Sequence, residues 1–147
     1  MLKIAGAKVF KNGEFVEGDI FIEGDRIVAT GDEVGEAIDA KGLLAIPGLV
    51  DVHSHGAVGH DFCDGTHESI DAITRYEASR GVTAWCGTTM TFPEEKLAGI
   101  MECAAEHIDA PDAATLVGIN VEGPFISPEK VGAQNPAYVQ QCDAAMF

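Results

Sequence analysis

Pro47-Gly48-Leu49-Val50-Asp51-Val52-His53-Ser54-His55 is an apolar run that closes on two histidines one residue apart. On an extended strand, side chains two positions apart share a face, so both imidazoles point the same way. Neutral imidazole is the commonest side-chain metal ligand, and a His-x-His at a strand end supplies half of a divalent-cation site. A second run, Leu116-Val117-Gly118-Ile119-Asn120-Val121, ends on Glu122, and Gly123-Pro124 behind it forms a rigid turn that sets the direction of the carboxylate. A carboxylate can bridge two cations about 3.5–4 Å apart, which would let Glu122 share one site with His53 and His55. Two short strands that deliver ligands from the same end are the arrangement expected of a barrel enzyme. The plainer alternatives are a hydrogen-bonded histidine pair and a solvated strand-end carboxylate.

The elements that must hold these ligands follow from periodicity. Residues 1–46 read as short strands and hairpins: Leu2 to Phe10 is extended, Lys11-Asn12-Gly13 is a turn, Asp19 to Glu23 is a strand, and Gly24-Asp25 turns into Arg26 to Ala29. From Leu43 the pattern changes to buried strands alternating with helices. Leu49 to Val52 reads as a buried parallel strand. A helix is predicted from about Ser69 to Arg80, with Ile70 and Ile73 inward and Gly81 as its stop. Val82 to Thr89 is the second strand. Pro93 suits the first turn of a helix running to about His107, with Leu97, Ile100, Met101, Ala104 and Ile108 on its apolar side. Leu116 to Val121 is the third strand. This βαβαβ order implies a parallel sheet, either open or the start of a (β/α)8 barrel, and in both the active site lies at the C-terminal strand ends. No glycine-rich phosphate motif follows the first strand, which weakens a dinucleotide-binding reading. Trp85 and the Met101 face read as core, and His60, Asp61 and Asp64 as loop residues. His67 and His107 read as surface or helix-end residues, and Asp51 as a residue able to orient a ligand.

The 147 residues carry a net charge of −15 and 46% hydrophobic content, enough for a folded core. Such acidity argues against nucleic acid or an anionic membrane as partner. Cys63, Cys86, Cys103 and Cys142 show no paired spacing and read as isolated reduced thiols. Met1-Leu2-Lys3-Ile4-Ala5-Gly6 has no signal-like core, and no apolar run approaches the roughly 18 residues of a membrane span, so a cytoplasmic setting is expected.

The Pro47–His55 segment resembles the first-strand signature of the amidohydrolase superfamily. Val121-Glu122-Gly123-Pro124-Phe125-Ile126-Ser127-Pro128-Glu129-Lys130-Val131-Gly132-Ala133-Gln134 is more specific and resembles the N-acetylglucosamine-6-phosphate deacetylase family, where a glutamate of this motif is the principal metal ligand. The resemblance covers essentially the whole chain. It implies an α/β fold: a partial (β/α)8 TIM barrel of the metal-dependent amidohydrolase type. Residues 47–147 would supply its first βα units, and residues 1–46 the N-terminal part of a small β-sandwich. It implies metal ligation by His53, His55 and Glu122, one or two divalent ions (zinc, iron, manganese or cobalt), and sugar contacts from Ala133 and Gln134. The implied substrate is a small amino sugar phosphate, N-acetylglucosamine 6-phosphate, deacetylated to glucosamine 6-phosphate and acetate, and the implied full-length assembly is a homodimer. The remaining metal-binding histidines, the acid–base aspartate and the phosphate-binding residues are expected beyond Phe147. On this reading the chain is an N-terminal fragment without turnover of its own. Two other readings stay open: an amidohydrolase acting on cyclic amides or bases, and a non-catalytic fragment that binds metal or self-associates. Amidohydrolases of the first kind, such as the hydantoinases, bridge their metals with a modified lysine, so the Glu122-Gly123-Pro124-Phe125 motif tells against that reading.

Overall fold

The computed structural model, which describes residues 1–31, 35–108 and 113–146, separates the chain into the units Met1–Pro47 and Gly48–Phe147. In the first unit, β1 (Leu2–Lys11) and β2 (Glu14–Glu23) form an antiparallel hairpin. Asn12 and Gly13 turn it at φ 54° and 89°, the pair of positive values that matches the twist of a two-residue hairpin. The register slips between Ile4 and Ala7, where Gly6 (φ 73°) donates its N–H to Asp19 Oδ1 at 2.9 Å. Lys3 Nζ holds the other carboxylate oxygen at 2.7 Å. Strand β3 (Arg26–Val28) adds antiparallel to β2, as its flanking turn predicts.

Strands β4 (Glu36–Asp39) and β5 (Leu44–Ala45) were not foreseen, and both lie parallel to β1. Neither has an alternating pattern long enough to announce itself, and their pairing is decided by β1. Among the described apolar residues of this unit, Ala7 in β1 and Ala40 just after β4 are the buried ones, too few for a core of its own.

The second unit carries the chemistry. Strand β6 (Leu49–Ser54) lies parallel to β9 (Val82–Thr89), which lies parallel to β10 (Thr115–Val121), so β9 is central. Helix α1 (His67–Ser79) connects β6 to β9 and α2 (Glu94–Ala105) connects β9 to β10. After β6 come the two-residue strands β7 (Gly56–Ala57) and β8 (His60–Asp61) and a 3-10 turn over Phe62–Asp64. Thr66 caps α1 by accepting the Ser69 N–H, which starts the helix two residues before the predicted position, and Gly81 (φ 83°) follows its end. Pro93 stands one residue outside α2, at ψ 153°, rather than in its first turn.

The core lies between the helices and the sheet: Phe62, Ile70, Ile73, Trp85, Ile100 and Leu116 are each at most 1% exposed. Phe62 meets Trp85 edge to face with centroids 5.9 Å apart. A Cβ at Gly87 would strike the Phe62 ring, so the closeness of this turn to β9 depends on that glycine. Two expectations need correction. Leu49, Val50 and Val52 are 50%, 62% and 65% exposed, because β6 is the edge of a three-stranded sheet and, among the described residues, nothing covers its outer side. Ile108 is 46% exposed and lies past the end of α2, bridging Leu116 rather than extending the helix face.

Candidate metal centre

His53 is the penultimate residue of β6, and His55 follows the strand directly. The register between β6 and β9 shifts between Asp51 and Ser54, so the backbone bends where the imidazoles project. Their rings stand edge to face at 5.0 Å and 83°, with the two Nε2 atoms 3.2 Å apart. Glu122, the residue after β10, brings Oε2 to 3.4 Å from His53 Nε2 and 3.1 Å from His55 Nε2. The three side chains are half-exposed, at 52%, 36% and 37%. His53 and Glu122 rim an open depression of about 500 Å³ whose walls include Asn120, Phe125 and Ile126.

The donor set fits a divalent cation. Tetrahedral ligands at about 2.0–2.2 Å from zinc stand roughly 3.3–3.6 Å from one another, close to the separations seen here. Nitrogen and carboxylate donors of this kind suit zinc, iron, manganese or cobalt.

The surroundings orient these donors. His55 Nδ1 donates to the Thr88 carbonyl at 3.1 Å, which leaves the Nε2 lone pair directed at the cluster. The Asn120 amide lies 3.0 Å from His53 Nδ1 and 3.5 Å from Thr88 Oγ1. The atom facing Nδ1 is the amide nitrogen, which donates to the ring and fixes its orientation. Asp51 accepts the His53 backbone N–H at 2.9 Å, so it steadies the strand and not the ring. Ser54 Oγ donates to buried Glu77 of α1 at 3.2 Å and ties the strand end to the helix. Behind Glu122, Thr91 Oγ1 donates to the Glu122 carbonyl at 3.2 Å, and Gly123 (φ 91°) leaves no room there for a Cβ.

Asn120 escaped the sequence reading. Its signal was its place two residues before Glu122, on the same face of β10. The loop polar groups have local duties instead: Asp61 and Asp64 form a reciprocal cap, and Ser69 donates to Asp64 and lies 3.1 Å from His60 Nδ1. These hydrogen bonds, that from the Asp61 N–H first, hold the Asp64 carboxyl below its usual range.

No protein-family model matches the chain. The chain is 38% identical over 104 residues to the N-acetylglucosamine-6-phosphate deacetylase of Vibrio furnissii, covering 70% of the chain and 26% of that protein. It is 29% identical over 157 residues to the enzyme of the same name from Mus musculus, covering all of the chain and 38% of that protein. The crystal structure of the Thermotoga maritima N-acetylglucosamine-6-phosphate deacetylase superposes with a TM-score of 0.82 at 27% identity, over 98% of this chain and 38% of that one. This chain is a homologue of the N-acetylglucosamine-6-phosphate deacetylases. It spans well under half the length of these deacetylases.

Among the residues singled out from the deacetylase-like motif, Ala133 and Gln134 do not line the depression. Ala133 is exposed in the turn after Gly132. Gln134 is 7% exposed, and its Oε1 accepts the Thr91 N–H at 2.7 Å, fastening the deacetylase-like loop to the segment after β9.

Proposed function

We propose that this chain carries part of the active centre of a metal-dependent deacetylase acting on N-acetylglucosamine 6-phosphate, with glucosamine 6-phosphate and acetate as products. The observation that carries the reading is the convergence of His53 Nε2, His55 Nε2 and Glu122 Oε2 within 3.4 Å. His53, His55 and Glu122 would hold a divalent cation, which would supply polarisation of an amide carbonyl and a bound water with its pKa lowered toward about 7. His55, held by the Thr88 carbonyl, would keep its Nε2 aimed at the cation, and the Asn120 amide nitrogen, donating to Nδ1, positions the His53 ring. Glu122 supplies the negative charge, fixed in direction by Gly123 and Thr91. Phe125 and Ile126 form an apolar wall beside the acetamide. Ala133 is the proposed backbone contact to the sugar, and Gln134 keeps an amide hydrogen for a sugar hydroxyl.

The three parallel strands are proposed to belong to a (β/α)8 barrel, and residues 1–46 to a small β-sandwich. Apolar Leu49, Val50 and Val52 alternate to both faces of β6 and are exposed on both, as in a parallel sheet made to be covered on each side. The resemblance extends the proposal to one or two ions, a homodimer and a cytoplasmic setting.

The test replaces the matching segment of the Thermotoga maritima deacetylase by these residues and measures acetate release, alongside the chain alone. The chimera is expected to turn over N-acetylglucosamine 6-phosphate and to lose that activity in Glu122→Gln, while the chain alone is inactive. Preference of the chimera for a cyclic amide, or turnover that survives Glu122→Gln, would overturn the reading. Zinc titration of the chain alone decides the case if the chimera does not fold, since the His53→Asn/His55→Asn variant must bind one equivalent fewer than the unaltered chain.

A further inference from the structure

A second set of ligand atoms converges at the opposite ends of the two helices. His67 is the first residue of α1, Cys103 lies in the last turn of α2, and His107 follows two residues after that helix. His67 Nδ1 is 2.6 Å from His107 Nε2 and 3.9 Å from Cys103 Sγ, and all three atoms lie within 4.8 Å of one another. Each imidazole has a carboxylate at its outward nitrogen. Asp71 Oδ1 stands 3.4 Å from His107 Nδ1, and Glu106 Oε2 stands 3.6 Å from His67 Nε2. That is the carboxylate–histidine pattern which holds a proton on the far nitrogen and turns the near one toward a metal.

From this geometry we infer a second cation site, formed by His67 Nδ1, Cys103 Sγ and His107 Nε2, for a borderline-soft divalent ion of which zinc is the type. Two imidazoles and a thiolate are the donor set of such an ion and a poor one for magnesium or calcium. Cys103 and His107 are four residues apart, which stacks them on one side of the helix end, and α1 brings the third ligand. The fourth position is left for a water. An ion there would clasp the beginning of α1 to the end of α2. The site shares no residue with the strand-end centre.

Cobalt(II) added to the chain tests this, because only a sulfur ligand gives a thiolate-to-cobalt charge-transfer band. One such band per chain is expected. Zinc should displace it, Cys103→Ser and His107→Gln should abolish it, and His53→Asn/His55→Asn should leave it unchanged. Asp71→Asn should weaken cobalt binding about 10–100-fold. No sulfur band, or one that survives Cys103→Ser, overturns the inference. Alkylation of the unaltered chain gives a second readout that needs no variant to fold. Zinc should slow modification of Cys103 while exposed Cys142 reacts as before, and equal rates at Cys103 with and without zinc would also overturn it.

Discussion

The two histidine clusters in the Gly48–Phe147 unit use opposite means of aiming a ligand. At the strand ends, His55 is held by a backbone carbonyl of β9 and Glu122 by a glycine turn, so the sheet itself fixes the donors. At the helix ends, His107 is held by the half-exposed Asp71 side chain and His67 by the exposed Glu106 side chain. Backbone anchoring costs little conformational entropy because the carbonyl is already ordered, whereas a surface carboxylate must be immobilised to serve. The strand-end centre is therefore the rigid one, and the helix-end cluster is the one whose geometry an ion must complete.

Glu122→Ala gives the largest expected effect. It removes the only oxygen donor of the strand-end set, and zinc affinity there should fall by more than the roughly 100-fold upper range of losses caused by changing an orienting neighbour. The sulfur-to-cobalt band should not change; its loss would show that the clusters are coupled. Asn120→Ala comes next, with zinc binding at the strand ends weakened about 10–100-fold in competition titrations. An unchanged affinity would mean that His53 needs no partner. Gly123→Ala introduces a Cβ against Thr91 Oγ1 in a left-handed backbone conformation. It should cost about 1–3 kcal/mol in urea unfolding and loosen Glu122, without touching the helix-end cluster.

Smallest is Asp64→Asn, which probes the cap ahead of α1. Its carboxyl titrates lower in the folded chain than in the unfolded one, so the stabilisation is present above the ordinary carboxylate range and is lost as pH falls through the folded value. The unfolding midpoints of the two proteins should differ near neutrality and converge in acid. Curves that stay parallel down through that range would remove Asp64 from the account.

Much of the strand-end centre was legible in advance because its logic is local. A strand repeats every two residues, which alone puts His53 and His55 on one side, and a glycine–proline pair after an apolar run marks where Glu122 leaves the sheet. The boundaries of β9 and the inward faces of α1 and α2 followed from the same kind of periodicity. The parallel strands β4 and β5 did not, since two to four residues carry no pattern and pair only because β1 offers an edge. Nor did the exposure of Val50 and Val52: a run rich in valine states that a strand should be covered, not that its neighbours are present.

Amino-acid order thus determined which residues could serve as ligands, where the strands and helices run, and that two histidines would face together, all consequences of short-range backbone geometry. Tertiary structure alone decided that Asn120 stands against His53, that Gln134 spends its carbonyl on Thr91, and that His67 meets Cys103 and His107 across 36 and 40 residues. The reason is that such meetings depend on how separate elements pack, and packing is set by the summed burial of Phe62, Trp85, Ile100 and their neighbours rather than by any one stretch of chain.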